Sequence, residues 1–89
     1  MSENRLQALR QMVLARPGDS RPHFGLAVEL LRLGRTREGA EALRAYLALG
    51  SDQGNGWGRL GSALAELGEV EEARKAFEAG IEIASRRGH

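Results

Sequence analysis

The chain has 89 residues and no cysteine, and its 13 lysines and arginines nearly balance its 12 aspartates and glutamates. This length allows one small domain and is too short for a doubly wound nucleotide-binding sheet. The missing cysteines exclude a disulfide framework, a thiol nucleophile and a cysteine-based zinc site, and the net charge of +1 gives no general attraction to nucleic acid or anionic membranes.

Apolar residues recur at helical spacing in five segments, and the chain has only three valines and two isoleucines to favour strands. The predicted helices cover residues 3–15, 21–33, 36–49, 55–67 and 70–85. Turn residues separate them: Pro17 to Ser20 end the first helix and cap the second, and Gly50 to Asp52 precede the fourth. Gly34 and Gly68 each follow a leucine, where a left-handed residue commonly ends a helix.

The stretch GWGRLG, residues 56–61, matches the G-x-G-x-x-G fingerprint of dinucleotide binding. That fingerprint follows a strand in a strand–helix–strand unit, whereas a predicted helix and a polar turn precede Gly56. We therefore expect no nucleotide site. Gly54, Gly56 and Gly58 stand at the start of the fourth helix, where a glycine is less favourable than alanine by about 1 kcal/mol. A loosened turn and a backbone opened to a ligand are both compatible with them.

The sequence repeats with a period of 34 residues. Gly34 and Gly68 lie 34 positions apart. The same shift brings leucines 26, 30 and 33 onto leucines 60, 64 and 67, and it brings Leu43 onto Phe77. Leu9 precedes Leu43 by the same interval. A two-helix unit is therefore repeated, with half a unit in front of it.

These residues resemble the tetratricopeptide repeat family, whose 34-residue unit carries W-x2-L-G-x2-Y, then A-x3-F, then a closing proline. The second repeat supplies WGRLG at 57–61 and ARKAF at 73–77. The first repeat departs from the pattern, with His23 at the tryptophan position and Gly39 at the alanine position. His23 is read as a substitute for a packed aromatic residue.

The resemblance implies an all-α fold, a right-handed α–α superhelix of helical hairpins with five antiparallel helices. One domain would cover residues 1–89, with a half repeat in 1–19, which is a second helix only, and full repeats in 20–53 and 54–87. Gly61 would permit close approach of the paired helix.

The resemblance also implies a function, because first helices in this family line a concave groove that holds a peptide or helix of a partner. The predicted binding residues lie on the exposed stripe of the fourth helix, at offsets 0, 4, 7 and 11, and on its counterpart in the second helix. They are Arg21, Phe24, Val28, Arg32, Asn55, Arg59, Ser62 and Glu66. A solvated helix face explains the polar members equally well, and core packing is the favoured explanation for Val28.

The predicted function is thus a non-enzymatic scaffold for another protein. An acidic segment or a free carboxylate would suit Arg59, with Arg21 or Arg32, because guanidinium groups pair with carboxylates in bidentate fashion. The family's full carboxylate clamp is not predicted, since the chain has one lysine, Lys75.

Other classes of function have little support. Ser62 has no histidine framework for catalysis, and Glu71 and Glu72 are adjacent and point in different directions. The arginines of the first half lie on different helix faces, which argues against nucleic acid. No stretch approaches the roughly 20 apolar residues of a membrane span. We expect no cofactor or metal. We expect a cytoplasmic location.

Self-association is the alternative. On the last helix Ala73, Phe77 and Ile81 are assigned to the core, and a second stripe is left uncovered. That stripe consists of Ala76, Ala79 and Ile83. A repeat array needs a covered end, so these residues would form a homodimer contact.

Overall fold

The computed structural model describes residues 2–52 and 54–86, which form five antiparallel α-helices. The helices are α1 (Ser2–Ala15), α2 (Ser20–Arg32), α3 (Thr36–Leu47), α4 (Asn55–Glu66) and α5 (Val70–Arg86). No strand occurs in these two ranges, so the predicted all-α fold is confirmed. Each predicted helix is present, and its ends lie within two residues of the predicted ones.

The two hairpins close with the same turn. Gly34 follows α2 with a φ of 79°, and Gly68 follows α4 with a φ of 80°. In each turn the glycine N–H donates to the carbonyl three residues back at 3.0 Å, and the next N–H donates to the carbonyl five residues back at 2.9 Å. These bonds satisfy carbonyls that the helix end leaves without a partner. The predicted helix ends at both glycines are therefore confirmed.

The core runs along the array as two connected layers. The larger cluster joins α2 to α5 around Ala27 and Leu43, and the smaller packs Leu6 of α1 against Leu26 and Leu30 of α2. Each helix packs chiefly against its neighbours in the sequence. As a result α2 lies between α1 and α3, and α4 lies between α3 and α5, whereas α5 packs mainly against α4.

A buried carboxylate organises the start of α4. Asp52 is 7% exposed. It accepts hydrogen bonds from the N–H groups of Gly54 and Gly56, both at 2.9 Å, and from the hydroxyl of Tyr46 at 3.0 Å. The N–H of Trp57 lies 3.4 Å from the same carboxylate. Asp52 thus satisfies the first N–H groups of α4 and bonds to α3 as well.

This cap accounts for two of the three glycines at the start of α4. Gly54 has a φ of 115°, which side chains rarely adopt. A Cβ on Gly56 would lie 2.8 Å from both Asp52 Oδ1 and Tyr46 Cε2, so only glycine fits there. The N–H groups of this turn already bind an internal carboxylate, which argues against a phosphate site. A Cβ on Gly58 would meet nothing within 4 Å.

Two alanine substitutions in α4 should have opposite effects on stability. Gly56→Ala should lower the free energy of unfolding by about 1–3 kcal/mol, because its Cβ overlaps the Asp52 cap. Gly58→Ala should raise the free energy of unfolding by up to about 1 kcal/mol, because alanine is a better helix former than glycine and its Cβ would meet no neighbouring atom. Urea denaturation of both variants tests this, and equal stabilities for the two would contradict the cap.

Candidate functional site

A groove of about 550 Å³ lies along the exposed face of α4. All four residues predicted on that helix line it, together with apolar side chains from α2 and α5. The lining consists of Leu31, Asn55, Gly58, Arg59, Ser62, Ala63, Glu66 and Phe77. The helical spacing of the α4 residues places them on one side, so the predicted stripe forms one continuous surface.

Arg59 is held in this groove by an aromatic pair. Its Cζ lies 5.4 Å from the ring centroid of Phe24, within the range of a cation–π contact. The ring of Phe24 packs at 4.9 Å on that of Tyr46, whose hydroxyl donates to Asp52. The carboxylate that caps α4 therefore also orients the rings beneath Arg59. In residues 2–52 and 54–86, Arg59 pairs with no carboxylate.

Arg21 does not reach this groove. It lines a separate depression with Leu9 and Met12 and is bound to Asp19 through two side-chain hydrogen bonds of 3.1 and 2.9 Å. Asp19 also accepts from the backbone N–H of Arg21 as the cap of α2. These hydrogen bonds from Arg21 lower the pKa of Asp19 to about 2. Arg21 thus lies outside the groove that contains Arg59 and is paired with a carboxylate of its own chain, and its contact with a partner stays a prediction.

Arg32 is likewise engaged within the chain. Its Nη2 lies 2.5 Å from Glu29, a carboxylate that is only 5% exposed. Arg5 of α1 approaches the same carboxylate at 3.3 Å. The hydrogen bond from Arg32, with the nearby charge of Arg5, lowers the pKa of Glu29. Arg32 therefore pairs within α2, and Arg5 joins α1 to the same carboxylate; contact of Arg32 with a partner stays a prediction.

The other predicted residues divide between packing and surface. Phe24 and Val28 are half-buried, and Phe24 packs against the larger core cluster. Glu66 is exposed and lies 3.5 Å from the hydroxyl of Thr36. Sequence reasoning missed Leu31, and it assigned Phe77 to the core. That Phe77 also borders the groove depends on the packing of α5 against α4.

The predicted self-association stripe is not the exposed side of α5. Ala76 is 3% exposed and belongs to the core, and Ala79 and Ile83 are half-buried. Phe77 and Ile81, assigned to the core, are 40% and 68% exposed.

The reason for this orientation of α5 is close helix packing at glycines. A Cβ on Gly61 would lie 2.7 Å from Phe77, and one on Gly80 would lie 3.0 Å from Trp57 Cβ. The small residues of α5 therefore face α4, and the ring of Phe77 packs on Gly61, whereas Ile81 points toward solvent. The expected role of Gly61 in close helix approach is confirmed.

Neither a metal-binding group nor a membrane-spanning helix is found in the described residues. Within them, no group of three or more histidine, aspartate or glutamate side chains is placed to hold a metal ion. His23 is half-buried, with Nε2 2.9 Å from the carbonyl of Pro17. In the described ranges no helix combines the length and the apolar character that crossing a bilayer requires.

Comparisons with known proteins agree with this architecture. A family model described as tetratricopeptide repeat matches residues 24–87. A solved structure titled MamA MSR-1 C2 superposes with a TM-score of 0.89 at 24% identity, and the match covers 98% of this chain and 50% of that chain. The chain therefore spans half the length of that structure, and the likeness shows the fold alone. No curated protein sequence matches the chain.

Replacing Arg32 should affect stability more than replacing Arg59. Arg32→Ala removes one of the two arginines that pair with the nearly buried Glu29, so it should lower the thermal unfolding midpoint. Arg59→Ala should leave the midpoint close to that of the original chain. Because the pKa of Glu29 is lowered, its contribution is present above pH 4.5 and is lost as the pH falls through the folded-state pKa. Circular dichroism melts at neutral and acidic pH test this, and equal melting of the two variants at neutral pH would contradict it.

Tyr46 provides a direct readout of the Asp52 cap, because it is the one tyrosine of the chain. Burial, and then the hydrogen bond to Asp52, raises the pKa of Tyr46 above its usual 10.0. Its contribution to stability is therefore present below pH 10 and is lost as the pH rises through the folded-state pKa. Spectrophotometric titration should give a lower Tyr46 pKa in Asp52→Asn than in the original chain, and an unchanged pKa would contradict the contact.

Proposed function

Because the chain belongs to the tetratricopeptide repeat family, we propose that it is a non-enzymatic scaffold that binds a segment of another protein in the groove on α4. Repeats of this family generally mediate contacts between proteins. The proposal extends that general role to a particular surface and to particular residues of this chain.

The observation that carries the proposal is the state of Arg59. Its guanidinium is exposed, is oriented by the ring of Phe24, and pairs with no acidic side chain among the described residues. Most other described arginines are bound to carboxylates of the chain, including Arg21 and Arg32. A guanidinium that is already oriented loses less conformational freedom when it pairs with a carboxylate. A partner's acidic group would therefore bind here with a smaller loss of side-chain entropy.

The other lining residues suggest what accompanies that acidic group. Asn55 and Ser62 offer further hydrogen-bonding groups, and Leu31 and Phe77 supply apolar walls. Such a mixture of apolar surface and a few polar groups is typical of binding clefts, and the volume of about 550 Å³ lies within their usual range. An apolar side chain next to a carboxylate would fit this combination.

The groove also has a direction. Arg59 and Glu66 are seven residues apart on α4 and therefore lie roughly 10 Å apart along the helix. An extended peptide advances about 3.3 Å per residue, so two of its side chains about three positions apart would reach the two charges. We infer that the preferred segment carries an acidic group at the Arg59 end and a basic or hydrogen-bond-donating group at the Glu66 end.

A displayed library of random peptides, selected on the immobilised chain, tests the proposal. Selected peptides should contain an acidic residue or need a free C-terminus, and Arg59→Ala should weaken them about tenfold, which corresponds to 1.4 kcal/mol. Arg44→Ala is the matched control, because Arg44 is an exposed arginine on α3, away from the groove lining. Peptides that bind both variants equally would remove the groove as the binding surface.

A further inference from the structure

The outer side of α5 carries an apolar surface that no further helix covers in the described part of the chain, and one edge of it, the ring of Phe77, packs on Gly61 of α4. It consists of Val70, Phe77 and Ile81, which are 69%, 40% and 68% exposed, and we call it the α5 face. With Ala65, Ala73, Arg74 and Glu78, these side chains line a depression of about 340 Å³. The α5 face shares Phe77 with the groove but lies mainly beyond it.

The repeat shows what covers such a face. Phe77 and Ile81 correspond, 34 positions earlier, to Leu43 and Leu47 of α3, which are 0% and 8% exposed because α4 packs over them. One period earlier still, Leu9 and Val13 of α1 pack beneath α2. The two covering helices share leucines at positions i, i+4 and i+7. These are leucines 26, 30 and 33 of α2 and leucines 60, 64 and 67 of α4.

A second copy of the chain has no free helix of this kind to offer. Of its described helices, the two that carry the leucine pattern are α2 and α4, and each is already packed between two neighbours. The geometry therefore favours a helix from a different protein.

An ion pair occurs where α2 covers α1 and another where α4 covers α3, and together they indicate the charge that the covering helix should carry. Glu3 of α1 pairs with Arg35, just after α2, at 2.6 Å. Arg37 of α3 pairs with Glu69, just after α4, at 3.0 Å. The two pairs occupy equivalent positions, 34 residues apart. Their charges are reversed, because the acidic residue lies on the covered helix in the first pair and just after the covering helix in the second. The next residue in this series is Glu71, whose side chain is 71% exposed and pairs with Arg74 of the same helix at 2.8 Å, an exposed contact that an incoming basic residue can share or replace.

We propose that the α5 face binds an amphipathic helix of another protein that carries leucines at i, i+4 and i+7 and a lysine or arginine at i+9. The leucines pack over Phe77 and Ile81 as those of α4 pack over α3. The basic residue, two positions after the last leucine, pairs with Glu71 as Arg35 pairs with Glu3. Packing supplies most of the affinity, and the ion pair fixes the register and selects the partner, because exposed pairs contribute little energy.

The test uses two helix-stabilised peptides that differ at one position. The first copies residues 20–35 of this chain and ends in the arginine at 35; the second carries Arg35→Glu. Fluorescence anisotropy should show that the original chain prefers the first peptide by about two- to fivefold at low salt. Glu71→Arg should reverse this preference. Glu72→Arg is the matched control and should leave it unchanged, since the equivalent residue, Glu38, pairs back toward Arg10 of α1.

A further variant separates the α5 face from the groove. Ile81→Glu should weaken both peptides at least tenfold without unfolding the chain, because Ile81 is largely exposed, and Arg59→Ala should leave both peptides unaffected. The proposal is overturned if Ile81→Glu leaves binding intact, or if Glu71→Arg does not reverse the preference. Sedimentation velocity provides a third decisive outcome: a dimer that Ile81→Glu abolishes would identify a second copy as the occupant.

Discussion

The carboxylate of Asp52 is the contact on which the second hairpin and the groove both depend. It is nearly buried, and such a group is tolerated only when hydrogen bonds replace its water. Backbone N–H groups of the α4 turn and the hydroxyl of Tyr46 provide those bonds. The same contact fixes the ring of Tyr46, against which Phe24 and then Arg59 are placed. A helix cap and a candidate binding residue therefore belong to one network.

The array is built so that each helix covers the apolar side of the one before it. α2 covers α1 and α4 covers α3, and at both junctions an ion pair of opposite polarity lies at the rim. Apolar packing holds neighbours together without specifying which neighbour is correct, whereas charge at the rim discriminates between neighbours. The α5 face carries the same apolar positions and, at Glu71, the next charge of the series.

The two candidate surfaces differ in what they can recognise. The groove on α4 combines a positioned guanidinium, a carboxylate and limited apolar area, which suits individual side chains of an extended segment. The α5 face is apolar with charge at its edge, which suits the stripe of an amphipathic helix. Separate substitutions, at Arg59 and at Ile81, can distinguish the two proposed contacts.

The sequence by itself determined the helices, their glycine ends, the 34-residue period and the exposed stripe of α4. These features depend on hydrogen bonds and side-chain spacing within a few turns of chain, which local pattern records. Tertiary structure decided the rest. Glu29 pairs with both Arg32 and Arg5, which lies on another helix, and Asp52 reaches across a turn. α5 turns its alanines toward α4 because Gly61 and Gly80 allow close approach. Each outcome depends on which distant groups come within contact distance, and that is set by packing between helices, which the spacing of residues along one helix does not encode.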